Sequence, residues 1–263
     1  MTKKPPAGNG SGGVRQDPRG VTRGPKVRVK TAARRKTSST RWLQRQLNDP
    51  YVAAAKREGY RSRAAFKLLE LNERFDFLKG ARRVVDLGAA PGGWTQVVRE
   101  ICGPQTKVVG IDLLAVEPIE GARIIQLDFM GDSAEQELIT LLEGQADVVL
   151  SDMAASSTGH QQTDHIRTMA LCEAALDFAI KVLAPGGTFV AKVLRGGTED
   201  SLLTQMKSRF RSVKHAKPPA SRADSTESYI VAMGFKGAGR ENDQSAASEP
   251  DQASENGFDP LDG

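Results

Sequence analysis

Apolar positions along the chain follow two alternating patterns. Short, β-branched runs occur at 83–88 (RVVDLG), 107–114 (KVVGIDLL), 122–129 (ARIIQLDF), 146–153 (ADVVLSDM), 188–194 (TFVAKVL), 212–217 (SVKHAK) and 228–235 (SYIVAMGF). Most lack a polar alternation, which predicts strands covered on both faces. Between them, Trp94, Val97, Val98 and Ile101 repeat at the i, i+3, i+4, i+7 spacing of one helix face, as do Leu176, Ala179, Ile180 and Leu183. The second of these helices is expected to end at the Pro-Gly-Gly of 185–187. Ahead of the first strand, Arg41 to Phe75 reads as helical, with Ser62 as N-cap and Ala64, Leu68, Leu71 and Phe75 as a buried stripe. Strand alternating with helix predicts an α/β fold, an open and mostly parallel sheet with helices on both faces.

Charge separates this central part from the ends. From Met1 to Lys36 there are eleven Lys or Arg against the single acid Asp17, and from Glu241 to Gly263 seven acids and no basic residue. Of the net charge of +5, the ends account for +10 and −7, which leaves +2 for the middle. Both ends have few large apolar side chains and cannot offset the entropy of ordering. The expected organisation is therefore a disordered basic tail over 1–38, one folded domain over 39–236 and a disordered acidic tail over 237–263.

Two cysteines, Cys102 and Cys172, are too few for a disulfide framework and read as small buried hydrophobes. No run reaches the roughly 18 apolar residues of a bilayer span, and the basic N-terminus lacks the apolar core of a secretion signal. A cytoplasmic protein is expected. His160, His165 and His215 fit neither a zinc spacing nor a triad, so no metal is expected.

In open parallel sheets ligands bind beyond the carboxyl ends of the strands. The first strand ends in DLGAAPGGW, Asp86 to Trp94, where Gly88, Gly92 and Gly93 allow a tight turn before a helix N-terminus. The loop lacks the Lys-Ser/Thr of a P-loop, and its glycines are not spaced as GxGxxG. The second strand then ends in Asp112, suited to accept hydrogen bonds from ribose hydroxyls, and the third in Asp128, suited to an adenine amino group. Each aspartate alone reads equally well as a solvated cap. Three in succession favour a nucleoside site. Trp94 reads as a core anchor or as a wall of that site.

These residues also carry a resemblance. VVDLGAAPGGW, IDLL at 111–114, SDMA at 151–154, AKV at 191–193, RSRAAFKL at 61–68 and ESYIV at 227–231 resemble, in family order, the FtsJ/RrmJ (RlmE-type) family of ribosomal RNA 2'-O-methyltransferases. The resemblance spans Ser39 to Phe235 and implies a Rossmann-like class I methyltransferase with a seven-stranded sheet and S-adenosylmethionine as cofactor. It implies a cofactor set of Asp86, Gly88, Gly92, Trp94, Asp112, Asp128 and Asp152, and a Lys-Asp-Lys-Glu tetrad on Lys67, Asp152, Lys192 and Glu227. Ala155 stands where the family usually has proline, and LRGG at 194–197 where it usually has FQG.

The tetrad suits the chemistry. A ribose hydroxyl is a poor nucleophile until a base takes its proton, and such help is worth about 10² to 10⁴ in rate. Lys192 lies inside an apolar strand, an unusual place for a lysine, which suits either a catalytic task or an edge position with a snorkelling side chain. Read singly, Lys67 lies on a polar helix face with Arg63, Glu70 and Arg74, and Asp152 and Glu227 are ordinary strand-flanking acids. Two basic clusters, one of Lys56, Arg57, Arg61, Arg63 and Lys67, the other of Arg209, Arg211, Lys214, Lys217 and Arg222, suit an RNA backbone or a solvated helix face. The expected substrate is a uridine ribose in 23S ribosomal RNA within the large subunit. The alternatives are a methyltransferase of transfer RNA or another RNA, and a non-catalytic RNA-binding assembly factor.

Overall fold

A computed structural model describes residues 28, 37–156, 158–194 and 200–237. The two tails and residues 195–199, which include most of the LRGG segment, lie outside the described residues.

Three helices come first: α1 (Thr37–Leu47), α2 (Pro50–Glu58) and α3 (Ala64–Phe75). The expected continuous helix is broken where the sequence supplies start and stop signals. Asp49 caps α2, its carboxylate accepting from Tyr51 N at 3.1 Å, Pro50 occupies the first turn, and Gly59 ends the helix at φ 79°. Ser62 does not cap α3. The N-cap is Arg63, without a side-chain bond, because the Ser62 hydroxyl is buried against Gly93, only 2.6 Å from where a Cβ on that glycine would lie. The buried stripe of α3 is centred on Phe66, Leu68, Leu69 and Leu71, with Ala64 and Phe75 at its half-exposed margins.

The seven strands are β1 (Arg83–Leu87), β2 (Lys107–Asp112), β3 (Ala122–Gln126), β4 (Ala146–Ser151), β5 (Leu183–Leu194), β6 (Phe210–Ala216) and β7 (Glu227–Phe235). They form one sheet in the order β3-β2-β1-β4-β5-β7-β6. β1 to β5 pair in parallel, while β7 runs antiparallel between β5 and β6. The connecting helices are α4 (Gly93–Cys102), α5 (Ala134–Leu142), α6 (Gln161–Val182) and α7 (Asp200–Arg209). α6 stops at Val182, before the Pro-Gly-Gly expected to end it, because Leu183 already pairs with Ala146 of β4. Ile101 is half-exposed on the last turn of α4, so only Trp94, Val97 and Val98 of that stripe are buried.

Alternate strand residues feed two cores. Val85, Leu87, Val109, Phe189, Ala191 and Ile230 face α5, α6 and α7, and Val84, Val108, Val190, Tyr229 and Val231 face α2, α3 and α4. Cys172 belongs to the first core, and Cys102, half-buried, packs against the second and donates to Leu78 O. No helix among the described residues is long and apolar enough to cross a membrane.

Candidate active site

The order of the sheet puts its switch point between β1 and β4, the place where a parallel sheet opens a crevice. A cavity of about 290 Å³ lies there, lined by Gly88, Ile111, Asp112, Leu127, Asp128 and Asp152 among others. Gly88 turns the chain at φ 78°, and a Cβ on it would come within 2.8 Å of the Met153 side chain, so only glycine keeps this wall open. Asp112 accepts from Ala90 N at 2.9 Å and Leu114 N at 2.8 Å, which ties the loops after β1 and β2 together at the cavity rim. Asp128 accepts from Met130 N at 3.0 Å in the same way.

Three other expected cofactor residues stand behind this wall. Asp86 is fully buried and accepts from the Thr95 hydroxyl at 2.6 Å, while its other oxygen has no hydrogen-bond partner among the described residues. Burial pushes its carboxyl up to about 7, and the charges of Asp152 and Asp112 add to the rise. Trp94 is buried, donates its indole N–H to Ala64 O at 2.8 Å and packs on Tyr229 with ring centroids 5.7 Å apart, the core-anchor reading of this residue. Gly92, at φ 108°, is crowded by Ile119 and Arg61 and does not line the cavity.

The tetrad assembles beside the cavity from four elements. Lys192 on β5 places Nζ 3.1 Å from Asp152 Oδ1 and donates to Asp152 O. Lys67 on α3 donates to Glu227 Oε2 at 2.8 Å. Both pairs are largely buried, with side-chain exposures of 10–17%. Burial alone would raise the Asp152 carboxyl, but the charges of Lys192 and Lys67 and the Tyr229 hydrogen bond outweigh it and hold that group below its ordinary value.

Tyr229, which the sequence offered only as part of ESYIV, is the link between the pairs. Its hydroxyl donates to Asp152 Oδ1 at 2.7 Å, and the Lys67 ammonium lies 5.8 Å from its ring centroid. Burial, followed by the charges of Asp152 and Glu227, pushes its phenol well above the ordinary value, so it is a fixed donor. Ser221 donates to Glu227 Oε1 at 2.7 Å and was likewise not singled out. The available signal was strand periodicity: Tyr229 lies two residues beyond Glu227 and so shares its face.

The basic clusters divide on inspection. Arg61 is occupied by the carbonyls of Pro91, Glu117 and Pro118, Arg57 by Glu58, Lys67 by Glu227, and Lys217 by the carbonyls of Ala223 and Ser225. Arg63 binds Asp49 at 3.0 Å and also Ala220 O, and its burial lowers its affinity for a proton despite Asp49. Each of these side chains is already engaged within the fold.

The FtsJ-like methyltransferase family matches residues 60–235. A protein of Rhizorhabdus wittichii named ribosomal RNA large subunit methyltransferase E is 64% identical over 214 residues, covering 81% of this chain and 93% of that one. One of the same name from Parvibaculum lavamentivorans is 59% identical over 239 residues, covering 87% and 92%. Among solved structures, a ribosomal RNA methyltransferase of Plasmodium falciparum is 32% identical, covers 68% of this chain and all of its own, and superposes with a TM-score of 0.61.

Proposed function

Because the chain belongs to the FtsJ-like methyltransferase family, we propose that it methylates the 2'-hydroxyl of a uridine ribose in 23S ribosomal RNA, using S-adenosylmethionine and acting in the cytoplasm on the assembled large subunit. The observation that carries this reading is the meeting of Lys192, Asp152, Lys67 and Glu227 beside the nucleoside-type cavity, which Asp152 lines.

The cavity fits such a cofactor by its donor set. Asp112 suits the ribose hydroxyls, Asp128 suits an adenine amino group, the Gly88 wall leaves room for the ligand, and Asp152 adds negative charge for a cationic one. Bound S-adenosylmethionine supplies a methyl group on a positively charged sulfur.

The chain's own residues do the rest. Lys192, once it has released a proton to solvent, takes the proton of the ribose hydroxyl, and Asp152, itself held by Tyr229, keeps its amine in place. Lys67, aligned by Glu227, holds the ribose, and Ser221 fixes Glu227. The names of the relatives favour ribosomal RNA over transfer RNA.

The test is methyl mapping of RNA from a strain lacking this protein, with transfer of labelled methyl groups to large subunits from that strain. Loss of one 2'-O-methyluridine from 23S RNA, restored by the purified protein, is the expected result. Loss from a transfer RNA instead, or no transfer at all, would overturn the reading.

A further inference from the structure

Two cavities of about 720 and 350 Å³ have Arg45, Arg63, Arg222 and Asp224 in both of their linings and so form one groove. Its inner end is made by Lys67 and Glu227 of the tetrad, and its outer end by Gln44 of α1, Asn48 between α1 and α2, and Pro219 of the segment joining β6 to β7. The groove is separate from the nucleoside-type cavity, which shares none of these residues.

Its charges do not balance. The ionised residues lining it are Arg45, Arg63, Lys67 and Arg222 against Asp49, Asp224 and Glu227, four cations to three anions. One oxygen, Asp49 Oδ2, serves two guanidinium groups, at 3.0 Å from Arg63 and 3.2 Å from Arg222. Among the described residues, neither arginine therefore has a two-oxygen partner of its own, and the buried Nε of Arg63 has none. Arg45 is exposed, and its side chain makes no hydrogen bond or ion pair among the described residues. A guanidinium fork in this state matches a phosphate, which offers two oxygens to it.

We propose that Arg45 and Arg222 form the two jaws of a clamp for the RNA phosphodiester backbone flanking the methylated ribose, with Arg63 and Asp49 as the residues that position Arg222. This rests on the proposed RNA substrate and adds where the strand runs. The 2'-hydroxyl and the 3'-phosphodiester sit on adjacent ribose carbons. A ribose presented to Lys67 and Glu227 therefore brings a phosphate to the inner mouth of the groove. Contacts of this kind fix the register of the strand and carry no base preference.

Two measurements test the clamp with the full chain. First, binding of a five-residue uridine oligonucleotide is titrated across a range of salt concentrations. Arg45→Glu and Arg222→Gln should each weaken binding several-fold and make the slope of log affinity against log salt shallower by about 0.7, one released counterion on a single strand. Arg45→Lys should retain most of the slope. Second, KM for unmethylated large subunits should rise several-fold in Arg45→Glu with the dissociation constant for S-adenosylmethionine unchanged, a split that mere loss of folding would not give. An Arg45→Glu protein with wild-type oligonucleotide affinity, slope and KM would overturn the clamp. If the wild-type protein fails to methylate subunits, the function reading falls, and the oligonucleotide slopes still decide whether the groove binds a phosphate backbone.

Discussion

Lys192 and Tyr229 stand directly opposite each other in the antiparallel pairing of β5 with β7, and both reach the same oxygen, Asp152 Oδ1, at 3.1 and 2.7 Å. The carboxylate is held by a cation and a neutral donor from neighbouring strands. The site thus depends on the register of that pair as much as on the identity of its residues.

Tyr229→Phe tests that arrangement. The ring, packed on Trp94, remains, and the donor to Asp152 is lost. A stability cost of about 0.5 to 1.5 kcal/mol is expected, together with a slower single-turnover rate. Asp152 is held below its ordinary value in the fold, so its contribution is present at neutral pH and is lost as pH falls through the folded value. Without the hydroxyl that value rises, and acid unfolding of the variant should begin at a higher pH than in the wild type. An unchanged acid midpoint would show that the hydroxyl does not act on Asp152.

Binding and chemistry should separate by residue. Asp112→Ala should weaken S-adenosylmethionine binding, by about 1 to 3 kcal/mol, since a charged acceptor is removed from the cavity rim. Lys192→Ala should bind nearly as the wild type yet transfer no methyl group, and Lys192→Arg should not restore turnover, since a guanidinium keeps its proton. Calorimetry and single-turnover assays showing the reverse pattern would sink these roles.

Asp86 gives a stability prediction of the opposite sign. Its carboxyl is pushed up to about 7 in the fold, so the folded state holds a proton that the unfolded chain releases near pH 4. Stability from this group is fully present below about pH 4 and declines as pH rises towards 7. Asp86→Asn keeps an acceptor for Thr95 and carries no charge. The variant should lose that decline and, at pH 8, be more stable by about 1 to 3 kcal/mol. Equal pH dependence of the two proteins in thermal melts would count against a raised Asp86.

Removing residues 1–36, with their eleven basic side chains, should lower RNA affinity and make its salt dependence shallower, while methyl transfer survives. The same salt titration, applied to the truncated chain, checks this. An unchanged slope would mean that the tail does not contact RNA.

Much of this fold is written in local patterns. The strand runs carried both-face burial in their composition, and the strand-end positions of Asp112 and Asp128 brought them to one cavity because a parallel sheet aligns its carboxyl edges. What stayed hidden depends on partners distant in sequence. The Ser62 cap failed because α4 occupies the space its hydroxyl needed. The basic clusters read equally as RNA contacts or solvated faces, because nothing local shows that Arg61 reaches the carbonyls of Glu117 and Pro118. Conversely, Arg45 was passed over on an ordinary helix, and its place on the groove comes from a segment about 175 residues later in the chain. Tyr229 was concealed for a simpler reason: an aromatic in a strand reads as packing until its hydroxyl is seen to have a partner.

The reversed last strand also sets the order in which the molecule becomes competent. Every residue lining the nucleoside-type cavity precedes β5, whereas Glu227 and Tyr229 arrive on β7, which must insert between β5 and β6 before either edge is paired. A chain cut short before Glu227 keeps every residue that lines the cavity but lacks Glu227 and Tyr229, and with them two of the groups that meet beside Asp152. The last strand in the chain therefore completes the site that the earlier strands begin.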